Sequence, residues 1–202
     1  MKKGLTGLLV VGGLVLIVVM IGGWYVRTNN NLVNMKGQAT KQWANVESSY
    51  QRRSDLIGNL VKTVQGAADF ERGTLTDVIE ARAKATSTTI DANNLTPEAL
   101  ANFQEAQTGL SSALSRLLVS VERYPDLKAN QNFLELQSQL EGTENRINVE
   151  RNRFNDLAGE YNIKIQQIPT NFVASFGNFQ PLALFSAKAG AEDAPDVNFD
   201  FQ

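Results

Sequence analysis

The chain contains no cysteine and no histidine. Without thiols there is no disulfide, thiolate nucleophile, lipoprotein anchor or zinc–sulfur site. Without imidazole there is no Ser-His-Asp or Cys-His constellation and no histidine metal ligand. Catalysis would fall to carboxylates, Lys, Tyr or a Ser-Lys pair. No G-x-S-x-G, S-x-x-K, G-x-G-x-x-G or P-loop pattern occurs. The expectation is a protein that is not an enzyme and takes no cofactor. Glu141 and Glu144 stand one helical turn apart, but no second acidic pair matches them, so no metal site is expected either. The net charge is −2 and no basic stripe exists, which argues against nucleic acid as a partner. Runs of alternating residues bounded by turn signals are also missing, so no strand is expected.

What the chain does have is a long apolar run at its start. Lys2 and Lys3 precede an almost unbroken run from Leu5 to Val26, closed by Trp24, Tyr25 and Arg27. At about 1.5 Å per residue it spans roughly 30 Å, the thickness of a bilayer core. It is too long for a usual signal-peptide core and no A-x-A-like site follows, so it reads as an uncleaved transmembrane anchor. Lys2, Lys3 and the terminal amine precede the span; Arg27, Lys36 and Lys41 follow it. That balance places the N-terminus in the cytoplasm and the body of the chain outside, as a single-pass protein of the bacterial inner membrane.

Beyond the anchor, apolar residues recur at helical spacing. Leu32, Met35, Ala39, Trp43, Val46, Tyr50, Arg53, Ile57, Leu60, Val64 and Ala67 form one stripe, uninterrupted by proline. The membrane helix should run almost directly into this first long helix, with Thr28 to Asn31 as the one expected kink. A second helix is expected over Glu71 to Thr89, with Leu75, Val78, Ile79, Arg82 and Ala85 on one face. Thr96-Pro97-Glu98 signals the start of a third, which carries Leu100, Phe103, Ala106, Leu110, Leu114, Leu117 and Val121. Asp126 to Gln131 reads as a turn. A fourth helix carries Phe133, Leu136, Leu140, Glu144, Ile147, Arg151, Phe154, Ala158, Tyr161, Ile165 and Ile168, and Pro169 ends it.

The fold class is therefore all-α: a single N-terminal transmembrane helix, then an antiparallel four-helix bundle with long first and last helices. Residues 1–28 form the anchor and 29–169 the bundle. Residues 170–187 form an apolar aromatic segment for packing or assembly, and 188–202 an acidic tail of disordered composition. Phe172, Phe176, Phe179 and Phe185 are the candidates for assembly or membrane contact; the first three are spaced for one helix face. Packing on the chain's own bundle, a neighbouring subunit, and the lipid interface all remain open for that segment.

Charges on the apolar stripes give the candidate polar site. Arg53 falls in phase with Tyr50 and Ile57, and Glu144 and Arg151 fall on the stripe of the fourth helix. If Asn31 and Ile168 mark the same end, Arg53 lies 22 residues along, and the same count back from Ile168 reaches residue 146. An Arg53–Glu144 salt bridge is expected, with Asp55 and Asn59 supporting nearby groups. Its role is either a register-setting polar layer or a ligand site that needs an Arg. Arg52, Arg72, Arg82, Arg116, Arg123, Arg146 and Arg153 read as solvated faces.

Several ordered blocks resemble one family. The segment Arg52-Arg53-Ser54-Asp55-Leu56-Ile57-Gly58-Asn59-Leu60-Val61 resembles the R-R-x-D-L-I-x-N-L-V signature of LemA-family proteins. Val64-Gln65-Gly66-Ala67, Glu80-Ala81-Arg82, and Ala129 to Gln137 with Leu140 and Thr143 to Ile147 are similar to further blocks. Arg151-Asn152-Arg153-Phe154-Asn155 and Tyr161-Asn162 resemble its R-x-x-Y-N and Y-N pairs, and Ile168-Pro169 its F-P. The chain departs from the pattern in having Ala68 for a usual Tyr, Asp69 or Phe70 for a His, and Ile168 for a Phe. The resemblance implies an N-terminal membrane segment and an antiparallel helical bundle, and no well-established activity. One relative acts in building an internal membrane organelle of magnetic bacteria, which points toward membrane shaping. Some relatives hold the bundle in the cytoplasm, opposite to the orientation drawn from the flanking charges.

Two functions compete. One is a non-catalytic, membrane-anchored scaffold that self-associates as a homo-oligomer and organises other membrane proteins at the lipid bilayer. The alternative is an extracytoplasmic sensory or adaptor bundle that binds a small ligand or protein.

Overall fold

The computed structural model describes residues 2–66, 71–92 and 94–186, with side chains from residue 11 onward. Among these residues every regular element is a helix. α1 runs from Lys2 to Gln65, α2 from Arg72 to Ser87, α3 from Pro97 to Val121, α4 from Pro125 to Lys128, α5 from Gln131 to Gln166, and α6 from Thr170 to Phe176. Ala67, Ala68, Asp69, Phe70, Asn93 and the chain from residue 187 onward, which includes the acidic tail, lie outside the described residues.

α1 is 64 residues long and joins the apolar run to the body of the protein without interruption. At 1.5 Å per residue it reaches about 95 Å. The break expected at Thr28 to Asn31 is not made. Asn costs a helix interior only a few tenths of a kcal/mol relative to better formers, and the flanking turns outweigh that. From Val11 to Val26 the side chains touch no other part of the protein closely enough to be buried. Among the described residues α1 is the one helix long and apolar enough to cross a membrane, by length and composition. That is consistent with membrane anchoring.

Local signals explain the other boundaries. Thr96 caps α3 by accepting from the Ala99 amide, with Pro97 at the first helical position. Asn130 caps α5, its side chain accepting from the amides of Asn132 and Phe133. The expected turn at Asp126 to Gln131 is instead the short helix α4, started by Pro125. Its Leu127 packs into the core.

α1 packs along α5, and α2 packs on α3. The core divides into two apolar clusters. The one nearer the apolar run gathers Leu32, Ala39, Trp43, Val46 and Tyr50 of α1 with Phe103, Ile147, Phe154, Tyr161, Val173 and Phe185. The other gathers Ile57, Leu60 and Val64 with Val78, Leu110, Leu117, Phe133 and Leu140.

Some stripe assignments shift. In α5 the buried seam runs Leu140, Thr143, Ile147, Glu150, Phe154, stepping three then four. The expected seam stepped four then three through Glu144 and Arg151. Residues 143 and 144 are both near the seam at about 100° per residue, and packing decides which one is covered. Ile79 and Ile168 are exposed rather than buried, and Leu114 and Leu136 only partly covered.

Candidate functional site

The two apolar clusters are separated by a polar layer to which four helices contribute. α1 supplies Arg53 and Ser54, α2 Thr86, α3 Gln107 and Ser111, and α5 Glu144. The Arg53 guanidinium is the hub. Its Nη1 donates to Glu144 Oε2 at 2.8 Å and to Ser111 Oγ at 3.2 Å. Its Nη2 donates to Gln107 Oε1 at 2.7 Å. Gln107 Nε2 in turn donates to the Ala85 carbonyl, tying α3 to α2. The guanidinium carbon also lies 5.0 Å from the Tyr50 ring centroid. Nε of Arg53 is buried without a hydrogen-bond partner.

The ion pair expected from counting along the two helices is made. Its environment is asymmetric, because Arg53 is buried and the Glu144 side chain is half in water. Asp55 and Asn59 do not join the layer. Both are exposed, since they lie on the opposite side of α1 from Arg53. Asp55 accepts from Gln51 and faces Arg82 at 3.7 Å. Arg82 is less solvated than expected: its Nε donates to the Ser54 carbonyl at 2.7 Å. Glu150 is the buried charge that the stripe reading missed. Gln42 Nε2 donates to its Oε2 at 2.7 Å, and Arg146 and Arg153 flank its Oε1. The steps of three from Ile147 to Glu150 and four on to Phe154 are the signal that could have found it.

Beside Arg53 the layer opens into a cleft of about 250 Å³, bordered by Tyr50, Gln104, Glu144, Arg151 and Ser186 among others. Arg151 is half-buried at its rim and lies over the Phe185 ring at 4.5 Å. Burial pushes the Tyr50 hydroxyl above its ordinary range, while the Arg151 and Arg53 charges beside it pull the other way. Among the described residues no group of His, Cys, Asp or Glu is arranged to hold a metal ion.

The segment after α6 is a strap clamped to α5. Asn155 Nδ2 donates to the Phe185 carbonyl at 2.8 Å and its Oδ1 accepts from the Phe185 amide at 2.9 Å. Asn162 does the same with Leu182, at 2.8 Å both ways. The two asparagines are seven residues apart, two turns of helix, so they face the strap together. Each preceding aromatic, Phe154 and Tyr161, is fully buried in the core. Tyr161 donates its hydroxyl to the Gln180 carbonyl, and burial raises its pKa. The paired aromatic-Asn motifs of α5 are thus one device that holds a core ring and a strap at once.

The four candidate phenylalanines separate. Phe185 is buried, stacked on Trp43 with ring centroids 5.6 Å apart, and Phe179 packs against the same cluster. Phe172 and Phe176 stay 60% and 83% exposed on α6. One helix face is not shared by all, because α6 stops at Phe176 and Asn178 turns the chain with a positive φ of 52°.

Comparison with known proteins gives two consistent results. The model of the LemA family matches residues 42–199. The chain is also similar to magnetosome proteins MamQ 1 and MamQ 2 of Paramagnetospirillum magneticum. Each is 27% identical over 189 residues, covering 83% of this chain and 68% of the relative.

Proposed function

The chain belongs to the LemA family, and from that premise we propose that it is a non-catalytic, membrane-anchored scaffold that self-associates and organises other membrane proteins at the bilayer. The observation that carries this reading is the continuity of α1, one helix from the apolar run through the whole body of the protein. A tether of that kind holds the packed helices at a set height and angle over the lipid, which a jointed linker would not do. We read the packed part as an antiparallel four-helix bundle of α1, α2, α3 and α5. The pairing of Gln42 with Glu150 and of Arg53 with Glu144 supports this, since one number rises as the other falls. The flanking cations support an N-terminus in the cytoplasm and a bundle outside it. The name of the similar magnetosome proteins supports work at an organised membrane.

A second reading is favoured by one observation, the cleft between Arg53 and Arg151. In that reading the bundle binds a small ligand and acts as a sensor or adaptor. Light scattering and electron microscopy of the detergent-extracted protein separate the two. A homo-oligomer of defined size supports the scaffold. A monomer whose melting temperature rises with a small ligand replaces it with the sensor.

A further inference from the structure

We infer that the α5–α6 corner is a second membrane contact, which seats Ile168, Phe172 and Phe176 in the interfacial layer of the same bilayer that α1 crosses. The inference rests on α1 being a membrane span and adds a surface to it. Three observations carry it. The first is exposure: Ile168 is 81%, Phe172 60% and Phe176 83% exposed, on the corner and on a helix whose other face, Val173 and Ala174, is buried. Phe172 and Phe176 are four residues apart and so share a face.

The second is position. Ile168, Pro169 and Thr170 line one groove with Gly22, Trp24, Arg27 and Asn31 of α1. The corner therefore stands at the end of the apolar run, where Trp24 and Tyr25 mark the level at which aromatic residues meet headgroups. The occupant of the exposed face is the surface that α1 enters.

The third is charge. Residues 1–46 contain no carboxylate, and neither do residues 161–186; Glu47 is the first acid in the chain. On the corner's side of the span, the cations nearest the lipid are Arg27, Lys36 and Lys164. The α1 and α5–α6 segments that meet at the corner thus bring cations and no carboxylate to an anionic lipid surface, while Asp91 of the α2–α3 loop stands farther up, at the level of Thr40. A second copy of this chain would present the same cations and be repelled at this face.

Physically, α6 is too short and too uncharged to hold a membrane on its own. It has no need to, because α1 already fixes its distance from the lipid. The corner would act as a foot that sets the tilt of the bundle.

The absence of native cysteine makes the test direct. Single variants Phe172→Cys, Phe176→Cys, Val18→Cys and Ser115→Cys of the full chain are spin-labelled and reconstituted into vesicles of phosphatidylcholine and phosphatidylglycerol. Collision with oxygen, which partitions into lipid, is compared with collision with a water-soluble nickel complex. All four positions are exposed, so the labels leave the core intact. Labels at 172 and 176 are expected to shift toward the Val18 signature, rich in oxygen and poor in nickel, and away from the Ser115 signature. Labels at 172 and 176 that match Ser115 while Val18 is in lipid overturn the foot and leave the anchor standing. Mutual dipolar broadening at 172 or 176, with both reagents excluded, overturns it in favour of contact between copies. Nickel access at Val18 overturns anchor and foot together.

Discussion

The Arg53 Nη1 atom lies 2.8 Å from Glu144 Oε2, joining a side chain that is 5% exposed to one that is 51% exposed. The pair bridges α1 and α5 at the level where the apolar core is divided. The two partners should therefore contribute unequally.

Arg53→Ala removes a buried cation, three hydrogen bonds to side chains and the contact of its guanidinium with the Tyr50 ring. The expected loss is about 2–4 kcal/mol. Glu144→Ala removes a half-solvated carboxylate and should cost about 1 kcal/mol, because water screens that end. A double-mutant cycle followed by thermal melting in detergent should give a coupling of about 1 kcal/mol. Strict additivity would show that the two charges do not sense each other.

The clamp made by Asn155 and Asn162 predicts a local effect. Either residue changed to Ala leaves a strap amide and a strap carbonyl without their partner, at about 1–3 kcal/mol. Hydrogen exchange should accelerate at the Leu182 and Phe185 amides while the amides around Ile57 and Leu60 stay protected. Uniform acceleration would mean that the strap and the bundle open as one unit.

Glu47 gives the pH dependence. Burial raises its pKa. The folded state thus disfavours the charged form. Its contribution to stability is full below the unfolded-state pKa and lost as pH rises through the folded one. Glu47→Gln should raise the melting temperature at about pH 7 and leave it nearly unchanged at about pH 4. An equal rise at both values would point to packing instead of ionisation.

Two glycines inside helices predict opposite balances. A Cβ at Gly109 would meet nothing within 4 Å, whereas one at Gly58 would lie 3.2 Å from the Arg82 guanidinium carbon. Gly109→Ala should stabilise by about 0.5–1 kcal/mol through helix propensity alone. Gly58→Ala should gain less or lose, since it presses on the group that donates to the Ser54 carbonyl. A larger gain at Gly58 than at Gly109 in melting experiments would contradict this.

Helix existence was legible because long amphipathic stripes and caps are local. The stripe from Leu32 to Val64, the Thr96-Pro97 start and the stop at Pro169 all act through neighbouring residues. The Arg53–Glu144 pair was legible because register follows from counting along two helices of fixed rise. Asp55 and Asn59 stay out of the layer because neighbourhood in sequence is not neighbourhood in space: two residues along a helix is about 200° around it, and six residues about 240° beyond a full turn.

By itself the sequence determined the apolar span, the helical class, the family motifs and a core free of cysteine and histidine chemistry, since each depends on residue type and short-range spacing. Tertiary structure alone decided the rest. It chose Thr143 and Glu150 over Glu144 and Arg151 for the α5 seam. It also turned Asn155 and Asn162 into a clamp, and divided the phenylalanines into a buried Phe185, a partly buried Phe179 and an exposed pair, Phe172 and Phe176. The physical reason is that burial is a property of what packs opposite, and for these side chains the opposing surface comes from residues far away along the chain.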